Sequence, residues 1–420
     1  MEVTLFGLIW GLFLIILFFR NDVCGIITMA LFSMVLQCNN VMVLGTTSIG
    51  VQVFTVFVVL VRLLLLPRRK EEMKKSAREL VKAPLIFFAY LIVNAIIIRS
   101  QFSQNWMNVM IIGIYAGFVY LLYRKRLSVG INEKMIEMLV DRIVVFVLVI
   151  GVIQYLACSG VPLLRPLLTT CIFNDTANMN VIFHGKPFMR VMYASFMEPS
   201  YFAGFMVGMF AMIALRKKAS FKNIFLLSFI ALAIVLSRSS VGYGGLAITL
   251  AILTLRFYGS NRIVRIMVPL AVISFLVVAL FNYELLDQVL FSKSETASYR
   301  VRAKWNRLAW GCFLEHPLFG AGVAQARASS LFYTLLGEIG VIGFFLYIGI
   351  ILKCTKQILK KDNPGNVVGS AFAVIAVWIC QMIACPDINF APLWLMLFVL
   401  ALSYNVSERK PADGEKGAEA

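Results

Sequence analysis

An all-α, polytopic integral membrane protein with about 12–13 transmembrane helices and two long external loops is the fold class this sequence predicts, and three observations carry it. Of its 420 residues, 60% are hydrophobic and 14% charged, against roughly 45–50% and about 25% in a soluble domain. Apolar runs long enough to cross the roughly 30 Å hydrocarbon layer, each about 20 residues as a helix, recur from residue 5 nearly to residue 404. Stretches such as residues 225–236 are apolar on every side, which excludes a transmembrane barrel, whose strands alternate apolar and polar residues.

The formal charge of +18 raises nucleic-acid binding as an alternative, but the cations fall mostly between the apolar runs. Arg68-Arg69-Lys70 through Lys82, Arg124-Lys125-Arg126, Arg216-Lys217-Lys218, Lys353 to Lys361 and Arg409-Lys410 alternate with cation-poor connections. That is the positive-inside pattern, so topology accounts for the charge and no nucleic-acid partner is expected. The eight cysteines form no CxxC pair and offer no redox or metal motif. Cys171 and Cys312 both fall in long external loops, where two free thiols are expected over a disulfide. With only His184 and His316 in the chain, no histidine-rich metal site is expected.

Taken in order, spans are predicted near residues 4–19, 23–38, 46–66, 84–99, 107–123, 142–158, 199–215, 223–237, 241–256, 264–282, 331–352, 367–385 and 390–405. The first run has no basic leader and is followed by Arg20-Asn21-Asp22, so it reads as a retained span and not a cleaved signal. Between Leu127 and Val140 the apolar residues Leu127, Ile131, Met135 and Leu139 repeat at helical spacing; this segment lies flat on the inner surface or is a connector helix. No inverted repeat or broken helix is evident. Residues 1–405 read as one transmembrane domain and residues 406–420 as a disordered cytoplasmic tail.

Two connections, about 159–197 and 282–330, are far longer than the rest, and loops of that length usually have a function. They carry Arg165, Lys186 and Arg190, then Lys293, Arg300, Arg302, Lys304, Arg307 and Arg327, cations on the predicted outer face that suit an anionic ligand. Glu198 precedes Pro199, a residue suited to the first helical turn. Its carboxylate complements the helix dipole, pairs with Arg190, or acts as a base at the membrane boundary. Residues 298–315 read as a helix, with Val301, Trp305, Leu308 and Cys312 on one face and Arg300, Lys304 and Arg307 on the next. Aligned cations repel, so they are solvated, meet lipid headgroups or share a specific anion. The helix stops near His316 because Pro317 disfavours helical geometry before it. Glu315 and His316 are either a helix terminus or an acid–base pair, and Gly320 and Gly322 permit a tight turn or a close approach to a ligand. Arg238 lies between two spans with almost no loop; Glu338 sits in an apolar run with Gly337, Gly340 and Gly343, where a charge is expensive although such glycines more often mark helix packing.

Arg190 followed by Glu198-Pro199-Ser200-Tyr201-Phe202-Ala203, then Leu236-Ser237-Arg238-Ser239, then Tyr299-Arg300 leading into Glu315-His316-Pro317-Leu318-Phe319-Gly320-Ala321-Gly322, then Leu336-Gly337-Glu338-Ile339-Gly340-Val341-Ile342-Gly343 resembles, in order and separation, the O-antigen polymerase and ligase superfamily of bacteria. The motifs cover roughly residues 185–345. Ligases of that superfamily carry a His-Asn pair where this chain has Ser329-Ser330, so the resemblance is to the polysaccharide polymerase branch. It implies a glycosyltransferase in the bacterial inner membrane that joins undecaprenyl-diphosphate-linked repeat units at the outer face, for O-antigen, capsule or exopolysaccharide.

The implied partners are that lipid-linked oligosaccharide, membrane lipid, a chain-length regulator and a flippase; no cofactor or metal is implied. Arg190 and Arg300, which the resemblance places beside the substrate, would stabilise charge on the diphosphate leaving group. Glu198 would take the proton of the attacking hydroxyl, with Glu315 or His316 as substitutes. Arg238, Lys304, Arg307, Gly320 and Gly322 complete the expected substrate site. A ligase, or a transporter of the same lipid-linked sugar, is the alternative.

Overall fold

A computed structural model of the protein describes residues 2–44, 47–67, 75–98, 102–125, 131–159, 191–216, 220–266, 297–360 and 363–407, with single positions between 161–174 and 268–273. Among the described residues the fold is all-α apart from three short strands. Among the described residues, five helices are long and apolar enough to cross a membrane: Ala77–Ile98, Trp106–Arg124, Ser240–Phe257, Leu331–Leu359 and Gly365–Ala384.

Residues 2–67 fold as β1 (Glu2–Val3), α1 (Leu5–Phe19), α2 (Val23–Ser33), β2 (Asn40–Leu44), β3 (Thr47–Gly50) and α3 (Val51–Leu65). The helices start where sequence chemistry supplies a cap: the Thr4 hydroxyl accepts from the Gly7 amide, and Asp22 accepts from that of Gly25. The strands are a departure from the expected helices at 23–38 and 46–66. Helix α2 stops at Ser33 and α3 starts only at Val51, because residues 40–44 pair antiparallel with both β1 and β3. The Asn174 side chain holds this turn, accepting from the Asn40 amide at 2.7 Å and donating to the Asn40 carbonyl at 2.6 Å.

Next come α4 (Lys75–Ile98), α5 (Phe102–Arg124) and α6 (Glu133–Ser159). Helix α4 begins well before the expected span at 84–99, with Pro84 inside it. The proposed separate segment at 127–140 is also corrected. Asn132 caps a single helix from Glu133 by accepting from the Met135 amide at 2.9 Å, and that helix runs without interruption to Ser159; residues 127–130 lie outside the described residues.

After a single turn at Leu164–Pro166 come helices α7 (Pro199–Ala214), α8 (Phe221–Leu236), α9 (Ser240–Phe257), α10 (Ala297–Glu315), α11 (Leu331–Leu359), α12 (Gly365–Ala384) and α13 (Ala391–Ser407). Helix α7 is buried almost throughout, from Phe202 to Ala214, and α13 is buried on every side from Leu393 to Leu402. Helices apolar all round belong inside a bundle, and α7 sits against α12 closely enough that a Cβ at Gly208 would meet the Val377 side chain at 2.5 Å. By contrast α1 leaves Leu5, Leu8, Leu12, Phe13 and Phe19 exposed. At the ends that carry the basic connections, Asp141 forms ion pairs with Arg216 at 2.7 Å and with Lys222 at 2.6 Å.

Helix α11 is broken, contrary to expectation. Gly340 has φ 64° and ψ −172° inside it, so the intrahelical bonds around it cannot form. Their partners come from two other segments. The Ala321 and Gly322 amides donate to the carbonyls of Gly337 and Glu338 at 2.8 and 2.9 Å; the Val341 and Ile342 amides donate to Pro317 and Leu318 at 2.9 and 3.4 Å. The Tyr90 hydroxyl of α4 donates to the Ile339 carbonyl at 2.6 Å, and the Asn94 amide group donates to that of Phe319 at 2.6 Å. Non-helical backbone buried in a bundle needs other protein groups to satisfy its polar atoms, and here they do. Gly320, with φ 70°, and Gly340 are both required: a Cβ on either would come within 2.3–2.5 Å of the other segment's backbone.

Candidate functional site

A small, open cavity of about 80 Å³ lies where these elements meet. Its wall comes from Asn108 and Ile112 near the start of α5, from Val323, Ala324, Arg327 and Ala328 before α11, from Thr334 and Glu338 at the start of α11, and from residues 386–389 between α12 and α13. The cations Arg124, Lys353 and Lys356 occupy the opposite ends of α5 and α11, so the cavity is at the end of those two helices away from these cations.

Each polar group in it is positioned by local geometry. Glu338 is buried two residues before the break; the Ala324 amide, in a left-handed turn with φ 64°, hydrogen-bonds its carboxyl. Asp387 follows Pro386, after α12 ends at Ala384. The Tyr201 hydroxyl of α7 donates to the Asp387 carboxylate, and the Gln381 side chain donates to the Asp387 carbonyl at 2.9 Å. Removal from solvent raises the Asp387 pKa above the ordinary 3.8, and the Glu198 carboxylate pushes the same way. The Tyr201 hydrogen bond and the Arg327 charge oppose them without reversing the shift. The Asn389 amide donates to Asn108 Oδ1 at 3.0 Å, joining two walls. The Arg327 guanidinium lies over the Trp305 ring of α10, 4.9 Å from its centroid.

The residues expected from sequence divide accordingly. Glu198 is the exposed residue before α7. It makes no side-chain cap bond; instead its Oε2 accepts from the Ser200 hydroxyl at 3.1 Å, and its charge is felt at Tyr201 and Asp387. Arg190 lies outside the described residues, as do Lys186, Cys171 and Lys293. Arg300, Lys304 and Arg307 are exposed on α10 and are not part of the cavity wall. Arg238 is exposed in a left-handed turn with φ 48° between α8 and α9. Glu315 and His316 are exposed at the end of α10, where the His316 carbonyl accepts from the Gly320 amide at 2.8 Å. Gly320 and Gly322 act on the backbone of α11 and bear on the site through Glu338. Ser329 and Ser330 support α11: the Ser329 amide donates to Asn306 at 2.8 Å, and Ser330 is the residue before the first turn.

Sequence reasoning missed Asp387, Tyr201 and Asn108 as site residues, placed Arg327 only among the loop cations suited to an anionic ligand, and left Glu338 between a functional charge and a packing position. One signal for Asp387 was available. It is the only Asp, Glu, Lys or Arg between Asp362 and Glu408, and an isolated ionisable residue among apolar spans is a functional candidate.

No protein-family model matches the chain, and no curated protein is significantly similar to it. Fold and site together define an all-α protein with helices of membrane-crossing length and a carboxylate- and amide-lined cavity at one end of the bundle.

Proposed function

We propose that the protein is a metal-independent glycosyltransferase of the polysaccharide polymerase kind. On this reading it is a multi-pass protein of the bacterial inner membrane with about 12–13 spans, and it joins undecaprenyl-diphosphate-linked repeat units at the outer face. The motif order from Arg190 to Gly343 motivates the reading. The observation that carries it is the cavity in which the Asp387 carboxylate, held by Tyr201, meets the amides of Asn108 and Asn389. Amides and carboxylates are the groups that grip sugar hydroxyls, and a carboxylate of raised pKa is a better proton acceptor than an ordinary one.

In the proposed step, an acceptor sugar hydroxyl attacks the anomeric carbon of the donor while its proton passes to Asp387. The bond from that carbon to the diphosphate oxygen breaks, and its electron pair leaves on the phosphate. The transition state resembles an oxocarbenium ion. This reading moves the base from Glu198 to Asp387 and leaves Glu198 as the neighbour that helps raise its pKa.

The break in α11 favours a second reading, a transporter of the same lipid-linked sugar, because transporter sites are often built on discontinuous helices. Yet the freed peptide groups at Gly340 bond to other protein segments and leave little backbone for a ligand. The test is the size distribution of surface and lipid-linked glycan in a deletion strain complemented with wild type or with Asp387→Asn. A ladder restored by wild type alone supports polymerisation at Asp387. Long lipid-linked polymer in the null strain would mean a ligase, and single units trapped facing the cytoplasm would mean a transporter.

A further inference from the structure

We infer that Arg327, seated on Trp305 in the cavity wall, is the residue that binds the phosphate groups of a diphosphate ligand; the inference rests on the glycosyl-transfer reading above. The observations behind it are independent of the motif series. Arg327 lines the cavity, and its guanidinium lies 4.9 Å from the Trp305 ring centroid. Among the described residues it pairs with no carboxylate, although its charge is felt at Asp387. An arginine stacked on an aromatic face keeps the N–H donors at its edge unspent and fixed in plane. That is the form in which a guanidinium takes two phosphate oxygens at once. The α10 cations Arg300, Arg302, Lys304 and Arg307 are not in the cavity wall, so within this cavity the wall's positive charge falls to Arg327.

The carboxylates bound where the anion sits. Asp387 and Glu338 line the same cavity, and Glu198 is within electrostatic reach. A diphosphate is repelled by these groups and is stable only on the Arg327 side, which faces α10. The sugar then projects toward Asp387 and the Asn108–Asn389 pair. Trp305 is a positioning residue in this scheme and acts only through the arginine.

The test is equilibrium binding to the purified full-length protein in detergent, with two probes: inorganic pyrophosphate and farnesyl diphosphate, a short prenyl diphosphate. Wild type is expected to bind both, and farnesyl diphosphate more tightly if the ligand is lipid-linked; equal affinity assigns the site to free diphosphate. Arg327→Ala is expected to weaken both about 10- to 100-fold. Arg327→Lys, which keeps the charge but not the fork, should restore only part of that loss. Trp305→Ala should weaken binding by less than Arg327→Ala and Trp305→Phe by less again. Arg256→Ala removes a similar arginine stacked on Phe257, outside the cavity wall, and should change nothing.

Unaltered affinity in Arg327→Ala overturns the inference, as does a wild-type protein that binds neither probe. Full restoration by Arg327→Lys also overturns it, since a point charge that merely balances Asp387 would behave that way. The two readings fail separately. If Arg327→Ala loses affinity but the deletion strain keeps a normal glycan ladder, the anion site stands and the polymerase reading falls.

Discussion

Replacing Gly340 with alanine tests the joint on which the cavity is built. At φ 64° an alanine sits in the left-handed region at about 1–2 kcal/mol. Its Cβ would also lie 2.3 Å from the Leu318 carbonyl oxygen and 2.6 Å from the Phe319 amide nitrogen, so the 317–322 segment must move away. That withdrawal breaks the bonds from Val341 to Pro317 and from Ile342 to Leu318, each about 0.5–1.5 kcal/mol. The total is about 2–5 kcal/mol. Gly349, later in the same helix, is the control, because nothing lies within 4 Å of a Cβ built there. Gly349→Ala should be neutral or stabilising by up to about 1 kcal/mol. Unfolding of both variants in mixed detergent micelles, followed by tryptophan fluorescence, gives the comparison. A Gly340→Ala variant as stable as Gly349→Ala would refute the reasoning. Gly320→Ala strains the same contact, so the double variant should lose less than the sum of the two singles.

Three other outcomes are expected. Asp387 has its folded-state pKa raised, so its ionisation opposes folding: the unfavourable contribution is absent below the ordinary 3.8 and develops as pH rises through the folded value. Asp387→Asn should therefore raise the melting temperature at pH 7, with a gain that shrinks toward pH 4, while glycan transfer is lost; a destabilised variant at pH 7 would contradict this. Tyr90→Phe strips the donor from the buried Ile339 carbonyl and should cost about 1–3 kcal/mol in the micelle assay, while a neutral result would show that another group satisfies that carbonyl. At the opposite end, Asp141→Asn leaves Arg216 buried without its 2.7 Å partner and should destabilise by about 3–5 kcal/mol. Lys222→Ala, whose side chain is 68% exposed, should cost under about 1 kcal/mol, and equal losses in the two would defeat the argument from burial.

How much was legible in the sequence depends on the range of the interaction. The helix of residues 297–315 and its end before Pro317 follow from i, i+3 and i+4 spacing and from local sterics. The stretch 40–50 escapes such reading because its apolar residues suit a span as well as a strand, and what decides it is pairing with residues 2–3 and the reach of Asn174. The broken helix escapes for a related reason. Gly337, Gly340 and Gly343 read equally as packing glycines, and only the arrival of residues 317–322 determines that Gly340 turns left-handed. Within the site, Glu198 and the 315–322 run stand out as short motifs. Asp387 sits 186 residues beyond its partner Tyr201, and no local pattern links the two.

The groups that satisfy the break in α11 all precede it in the chain. Tyr90 and Asn94 belong to α4, and residues 317–322 are made just before α11 itself. During synthesis from the N-terminus, the unwound turn can therefore find its partners as soon as it emerges, without waiting for α12 or α13. Asp387 comes later, in the last connection of the described chain. The assembly order follows: the joint closes first, and the final hairpin of α12 and α13 then delivers the acidic residue against a wall already set. Truncation before α12 should leave the α4–α11 joint formed and the cavity open on one side.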